Sequence, residues 1–343
     1  MGGFPLVSTP LMFSLPASSF SAGLSPDGKW LAFYENTTVS ENENLQPLSF
    51  IMFFSTGETI TQTIDISPFA AEVLGGFYLG GLYIPSFWIY NRLIYFSLEM
   101  VTYPVGSLNI LPMVRIFDPY QGIWRNGLIA DIPYFRTYYM TGYSPDLQRV
   151  LYEYNSEGLE GLQLVLWDLQ AKKEIWRDSE FPIIRGAIVQ WAPDSSYAAY
   201  TNYVAVQGED RRVFLIAHNG GQRQPITSAS YPVPDFRYHS FSWSPNSRYL
   251  ALVGESVDYS HPELTTLFIY DHQYNQYIYQ CPLPDFHPFM EILWSPDNRY
   301  LAYYHSTANQ LELLDRKTGL VIDLLPNAIP YGWSAEFPFE SPK

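Results

Sequence analysis

The chain carries one cysteine, Cys281, in 343 residues, so no internal disulfide and no cysteine-built zinc cluster can form. Free cysteine behaves as a small hydrophobe, and Cys281 is expected to be buried. Positive charge is also scarce. Lys and Arg number 19 against 34 Asp and Glu, for a formal net charge of −15, and the longest basic runs are Lys172-Lys173 and Arg211-Arg212. Such a surface repels phosphate backbones and anionic headgroups, which argues against nucleic acid as a partner and against direct membrane insertion. It suits a basic protein surface or a neutral ligand. No apolar run approaches the roughly eighteen residues of a membrane helix. Residues 4–20 have no Lys or Arg before them and are interrupted by prolines, unlike a signal peptide. That pattern favours a cytoplasmic location, an extracytoplasmic one requiring a leader already removed.

The common catalytic and ligand-binding signatures are missing as well. There is no His-Glu-x-x-His, no phosphate-binding Gly-x-x-x-x-Gly-Lys-Ser/Thr and no Asp-rich calcium loop. The nearest string to a nucleophile elbow, Gly332-Trp333-Ser334-Ala335-Glu336, lacks the second glycine. The six histidines show no metal-ligand pairing. No catalytic residue, metal ligand or cofactor is therefore expected.

What the chain has is apolar and aromatic side chains, 47% and 17% of residues with only 15% charged, enough to build a large core. It also has a repeat. Ser25-Pro26-Asp27-Gly28, Ser144-Pro145-Asp146, Ala192-Pro193-Asp194, Ser244-Pro245-Asn246 and Ser295-Pro296-Asp297 are joined by degenerate copies at Ile89-Tyr90-Asn91 and Ser334-Ala335-Glu336. Their spacings of 64, 55, 48, 52, 51 and 39 residues match the period of a four-stranded propeller blade. Each anchor follows a bulky residue (Leu24, Trp88, Tyr143, Trp191, Trp243, Trp294, Trp333) and precedes a strand-like run such as RVLYEY or YLAYYH. Ser-Pro-Asp-Gly has type I turn composition and would join the first two strands of a blade. A second turn 20 to 30 residues later, at Ser55-Thr56-Gly57, Asp118, Asp168, His218-Asn219-Gly220, Asp271 and Asp315, reads as the hairpin between the third and fourth strands.

These patterns predict an all-β chain forming a single β-propeller domain over residues 1–343. Six blades are complete. A seventh would begin at the last anchor and be closed by an N-terminal hairpin over residues 4–16, which removes open sheet edges. A six-bladed ring is the alternative. Residues 67–87, in the widest anchor spacing, read as a surface insertion in the first blade.

The motif of aromatic, Ser-Pro-Asp-Gly, a basic residue and Leu-Ala-Phe/Tyr resembles the WD40-like PD40 repeats of TolB-like propellers. Similar repeats occur in the propeller domains of prolyl-oligopeptidase-type peptidases. The resemblance covers nearly the whole chain and implies the fold. It leaves function open, because such propellers serve many tasks.

Candidate sites follow from repeat position. Trp88, Trp191, Trp243, Trp294 and Trp333 recur at one place, as inter-blade packing requires. Arg136, Arg185 and Arg237 begin innermost strands with His239 and Glu291 nearby. If they gathered at a channel mouth they could hold an anionic ligand. Tyrosine-rich segments contribute Tyr138 and Tyr139, and Tyr274 and Tyr277, while the insertion contributes Phe77, Tyr78 and Tyr83. Tyrosine offers contact area at small entropic cost, which suits protein interfaces. The expected function is therefore non-catalytic protein binding or scaffolding within a larger assembly. The alternative is a small-molecule or carbohydrate binder, hydrolase or lyase using the channel mouth.

Overall fold

The structure, a computed structural model, describes residues 20–25, 30–34, 48–53, 59–64, 86–89, 93–102, 109–118, 121, 123–126, 141–154, 162–183, 189–201, 213–227, 236–256, 265–283, 292–305 and 308–326. They form six four-stranded antiparallel sheets, each built from strands consecutive in the chain. The first sheet holds β1 (Phe20–Leu24), β2 (Trp30–Tyr34), β3 (Leu48–Phe53) and β4 (Thr59–Ile64). The second holds β5 (Ser86–Ile89), β6 (Leu93–Thr102), β7 (Asn109–Asp118) and β8 (Ile123–Asn126). The third has β9 (Thr141–Tyr143), β10 (Arg149–Tyr154), β11 (Leu162–Asp168) and β12 (Lys173–Ile183), and the fourth β13 (Val189–Trp191), β14 (Tyr197–Thr201), β15 (Val213–Ala217) and β16 (Gln224–Pro225). The fifth is β17 (Phe236–Trp243), β18 (Tyr249–Ser256), β19 (Thr266–Asp271) and β20 (Gln276–Pro282), and the sixth β21 (Leu293–Trp294), β22 (Tyr300–His305), β23 (Gln310–Asp315) and β24 (Leu320–Pro326). The expected N-terminal hairpin, the last anchor and residues 67–85 of the insertion lie outside the described residues.

The chain divides into two compact units. One contains the first two sheets, except for the start of β7, and the other contains the third to sixth. In the larger unit the first strands β9, β13, β17 and β21 lie side by side in that order. Third strands read as continuous apolar runs because both their faces are covered: all six residues of β19 are buried, as are Val213 to Ile216 of β15. Fourth strands have one covered face, so β20 alternates between exposed and half-buried residues along its whole length. The core lies between sheets. Leu151, Leu164 and Leu166 of the third sheet pack with Ala198, Tyr200, Phe214 and Ile216 of the fourth. Leu215 of the fourth packs with Leu250, Leu252 and Phe268 of the fifth, and Ile269 of the fifth with Trp294, Leu301 and Leu314 of the sixth. Each buried Leu, Ile or Phe side chain among them contributes about 1.5–3 kcal/mol.

The four anchors described throughout, at 144, 192, 244 and 295, are turns closed by a hydrogen bond from the fourth residue to the first. The amide N–H groups of Leu147, Ser195, Ser247 and Asn298 donate to the carbonyl oxygens of Ser144, Ala192, Ser244 and Ser295 at 2.8–2.9 Å. All four donors have φ between 58° and 63°, the left-handed region that favours glycine, and Gly28 stands at this position in the first anchor. The anchor serine closes the turn: Ser244 Oγ accepts from Tyr249 N and Ser295 Oγ from Tyr300 N, both at 2.8 Å. The turn carboxylates cap their own turns, Asp146 and Asp297 by accepting from the Ser144 and Ser295 hydroxyls and from the backbone N–H two residues on.

The anchors are also tied to one another. The N–H at the third anchor position donates to the side chain of the left-handed residue of the next anchor: Asp146 N to Ser195 Oγ (3.0 Å), Asp194 N to Ser247 Oγ (3.0 Å) and Asn246 N to Asn298 Oδ1 (2.9 Å). A second tie runs through the recurrent tryptophans. Trp191, Trp243 and Trp294 donate from Nε1 to the carbonyls of Gly142, Gln190 and Ser242 on the preceding first strand, at 2.8, 3.2 and 2.8 Å. Replacing Ser247, which is buried, by alanine removes the acceptor of the Asp194 N–H and with it this link between sheets. Ser247→Ala is expected to lower stability by about 1–2 kcal/mol in urea denaturation. An unchanged midpoint would show that this tie contributes nothing.

Candidate functional site

The hairpin between the third and fourth strands is held by its leading aspartate. Asp168, Asp271 and Asp315 each accept from backbone N–H groups two or three residues on through Oδ1. Their other oxygen takes an arginine from the strand after the anchor: Arg149 with Asp168 at 3.1 Å, and Arg248 with Asp271 and Arg299 with Asp315 at 2.7 Å. These arginines hold both turns of one sheet together. Hydrogen bonds from Arg299 hold the Asp315 carboxyl below its usual range, and Arg248 and the backbone do the same for Asp271 against the opposing effect of burial. A different pair joins sheets: Asp178 on β12, buried, binds Arg223, which lies 4.4 Å over the Phe214 ring, and accepts from Tyr200 at 3.1 Å.

The tyrosine-rich hairpin of the fifth sheet divides by direction. Tyr274, at its tip, is 61% exposed, and the Arg248 guanidinium lies 5.0 Å from its ring. Tyr277 is half-buried against the Phe268 and Tyr270 rings and donates its hydroxyl to the carbonyl of Ile226 in the fourth sheet. Tyr270 is buried outright. Besides Tyr274, the exposed large hydrophobic side chains among the described residues are Ile278 on β20 and Leu320 and Val321 on β24, at 38%, 46% and 36%. All four thus belong to the outer hairpins and fourth strands of two adjacent sheets. The sixth-sheet hairpin turn approaches β20, since a Cβ on Gly319, whose φ is +71°, would lie 3.3 Å from the Tyr279 ring.

Beside this patch is a cavity of about 120 Å³ lined by Cys281, Pro282, Leu283, Tyr303, His305, Glu312 and Val321. Cys281 is half-buried and not enclosed as expected, because it lies near the end of an edge strand whose residues are alternately exposed. Glu312 is buried in β23. Its carboxylate accepts from the Tyr303 hydroxyl and lies 2.8 Å from His305 Nδ1. Burial and the neighbouring carboxylate push the Tyr303 phenol far above its ordinary range, so it remains a donor. Sequence reading did not single out this group. Its signal is a carboxylate three residues before a hairpin aspartate, where the equivalent Val165 and Phe268 are apolar and buried.

The predicted channel-mouth set cannot be assembled from the described side chains. Arg136, Arg185 and Glu291 lie outside the described residues. The backbones of Arg237 and His239 are on β17, Arg237 opposite Glu255 near the strand's start and His239 at the bulge between Tyr238 and Ser240. Phe77, Tyr78, Tyr83, Tyr138 and Tyr139 also fall outside. Among the described residues, no group of three or more His, Cys, Asp or Glu is placed to hold a metal ion.

No family model matches the chain, and no curated protein matches it. Solved structures do. The oligogalacturonate lyase of Vibrio parahaemolyticus aligns at 11% identity over 89% of this chain and 76% of its own, with a TM-score of 0.56. An oligogalacturonate lyase in complex with manganese aligns at 11% identity over 88% and 74%, also with a TM-score of 0.56. TolB from Acinetobacter baumannii aligns at 11% identity over 85% and 78%, with a TM-score of 0.43, too loose to carry weight. At such identities likeness speaks for fold alone. The chain has an all-β fold of four-stranded antiparallel sheets whose structural neighbours are β-propellers.

One titrating group packs between the fourth and fifth sheets. His272 follows Asp271 and packs edge-on to Tyr197 at 4.3 Å and to Trp243 at 6.2 Å. Its Nδ1 is buried with no hydrogen-bond partner among the described residues. Burial lowers its pKa, with Asp194 and Asp271 opposing. The folded state therefore prefers the neutral ring, and the stability it supports is complete above the ordinary value of about 6.5 and is lost as pH falls below it. His272→Phe keeps the ring and removes the titration. Urea midpoints at pH 7 and pH 5 are expected to fall more for the wild type than for this variant, and equal losses would contradict the assignment.

Proposed function

We propose that the chain is a non-catalytic β-propeller that binds another protein, as a scaffold or subunit of a larger assembly, through the outer edge of its fifth and sixth sheets. In this reading the whole chain is one domain of seven blades, the N-terminal hairpin completing the blade begun at the last anchor. The observation that carries the reading is the placement of Tyr274, Ile278, Leu320 and Val321. Apolar side chains on neighbouring edge strands are an aggregation liability unless something covers them. A tyrosine beside aliphatic residues has the composition of interface cores. The net charge of −15 favours a basic partner for the chain as a whole and disfavours self-association. Tyr277 supports the patch from beneath. Phe77, Tyr78, Tyr83, Tyr138 and Tyr139 remain partner-binding candidates in the same reading, while Arg136, Arg185, Arg237, His239 and Glu291 belong to the alternative of a small-molecule site.

The test is affinity capture from native-source extract with the wild type and with the double variant Ile278→Glu, Leu320→Glu. Both positions are exposed, so the variant's melting temperature should hold. One protein captured by the wild type and lost from the variant is the expected outcome. Identical capture by both baits would exclude this face.

A further inference from the structure

The cavity beside the patch has a composition that specifies its occupant. Its lining holds one buried carboxylate, Glu312, and no Lys or Arg. The rest of the wall is the Tyr303 ring, Leu283, Pro282, Val321, Cys281 and the His305 imidazole. A buried carboxylate without a permanent cation is costly, and Glu312 is compensated by a phenol and an imidazole. An ammonium group would add a permanent positive charge beside it, and the apolar wall would take the methylene stem that carries it. Tyr303 supplies a ring for cation–π contact.

We infer that this cavity receives a lysine side chain of the protein partner, its ammonium on Glu312 and its stem between Leu283, Tyr303 and Val321. This rests on the reading of the patch as a protein interface, with which the cavity is continuous, because Val321 belongs to both. Size agrees: a cavity of about 120 Å³ has room for several water-sized groups, enough for the outer end of a lysine. Arginine fits less well. Its planar fork seeks two free carboxylate oxygens, whereas Glu312 is already engaged by Tyr303 and His305. The charge of the whole chain points the same way.

Nα-acetyl-lysine methylamide and its norleucine counterpart share a stem and differ in the ammonium. Titrated into the intact chain while the His305 ring is followed by NMR, the lysine probe is expected to bind at least tenfold more tightly than the norleucine probe. Glu312→Gln, checked for an unchanged melting temperature, should abolish that preference and weaken capture of the partner. Equal binding of the two probes by the wild type would overturn the proposal without requiring any variant. The two readings fail separately. A partner lost from the Ile278→Glu, Leu320→Glu bait but fully retained by Glu312→Gln would leave the interface standing and remove the lysine. A partner unaffected by the double variant removes the interface, and with it the lysine.

Discussion

In the third, fourth and fifth sheets, one backbone N–H of each anchor turn finds its acceptor in the next sheet. A turn alone fixes two strands of one sheet. Donation from Asp146, Asp194 and Asn246 to Ser195, Ser247 and Asn298 fixes neighbouring sheets to each other as well. The acceptor can reach because its residue is left-handed, a conformation costing an ordinary side chain on the order of 1 kcal/mol and maintained by the turn's own hydrogen bond. Trp191, Trp243 and Trp294, before the anchors of the fourth, fifth and sixth sheets, make the second link between the same neighbours. With sheet-to-sheet placement set at these turns, the third strands are enclosed and the fourth strands are left at the edge, where the exposed apolar residues and the cavity are found.

Turn chemistry made much of this legible. Ser-Pro-Asp and its variants occur where the first two strands join, and Asp168, Asp271 and Asp315 where the last two join, because proline and short acidic side chains satisfy backbone geometry locally. The recurrence of tryptophan indicated packing between repeats, and Trp191, Trp243 and Trp294 are buried there. The ties between anchors were not legible. They link residues 49 to 53 positions apart, and the left-handed position is occupied by Leu147, Ser195, Ser247 and Asn298 in turn, a set with no common chemistry. Leu147 offers no acceptor at all.

The site was legible only in outline. Residues 270–279 announced a tyrosine-rich hairpin, but which tyrosine faces out depends on where the turn falls: Tyr274 lies on the turn and is exposed, while Tyr277 on β20 reaches the fourth sheet. The cavity group comes from three strands of two sheets, Cys281 from β20, Tyr303 and His305 from β22 and Glu312 from β23. No spacing in the chain anticipates that convergence, and only the break in apolar pattern at Glu312 marks it.

The central claim is that a partner covers the edge of the fifth and sixth sheets. Hydrogen–deuterium exchange of the intact chain, alone and with its captured partner, measures this directly. The account predicts added protection in residues 274–282 and 320–326, with the buried third strands β19 and β23 unchanged. Protection confined to other segments, with these two strands exchanging as in the free chain, would contradict it.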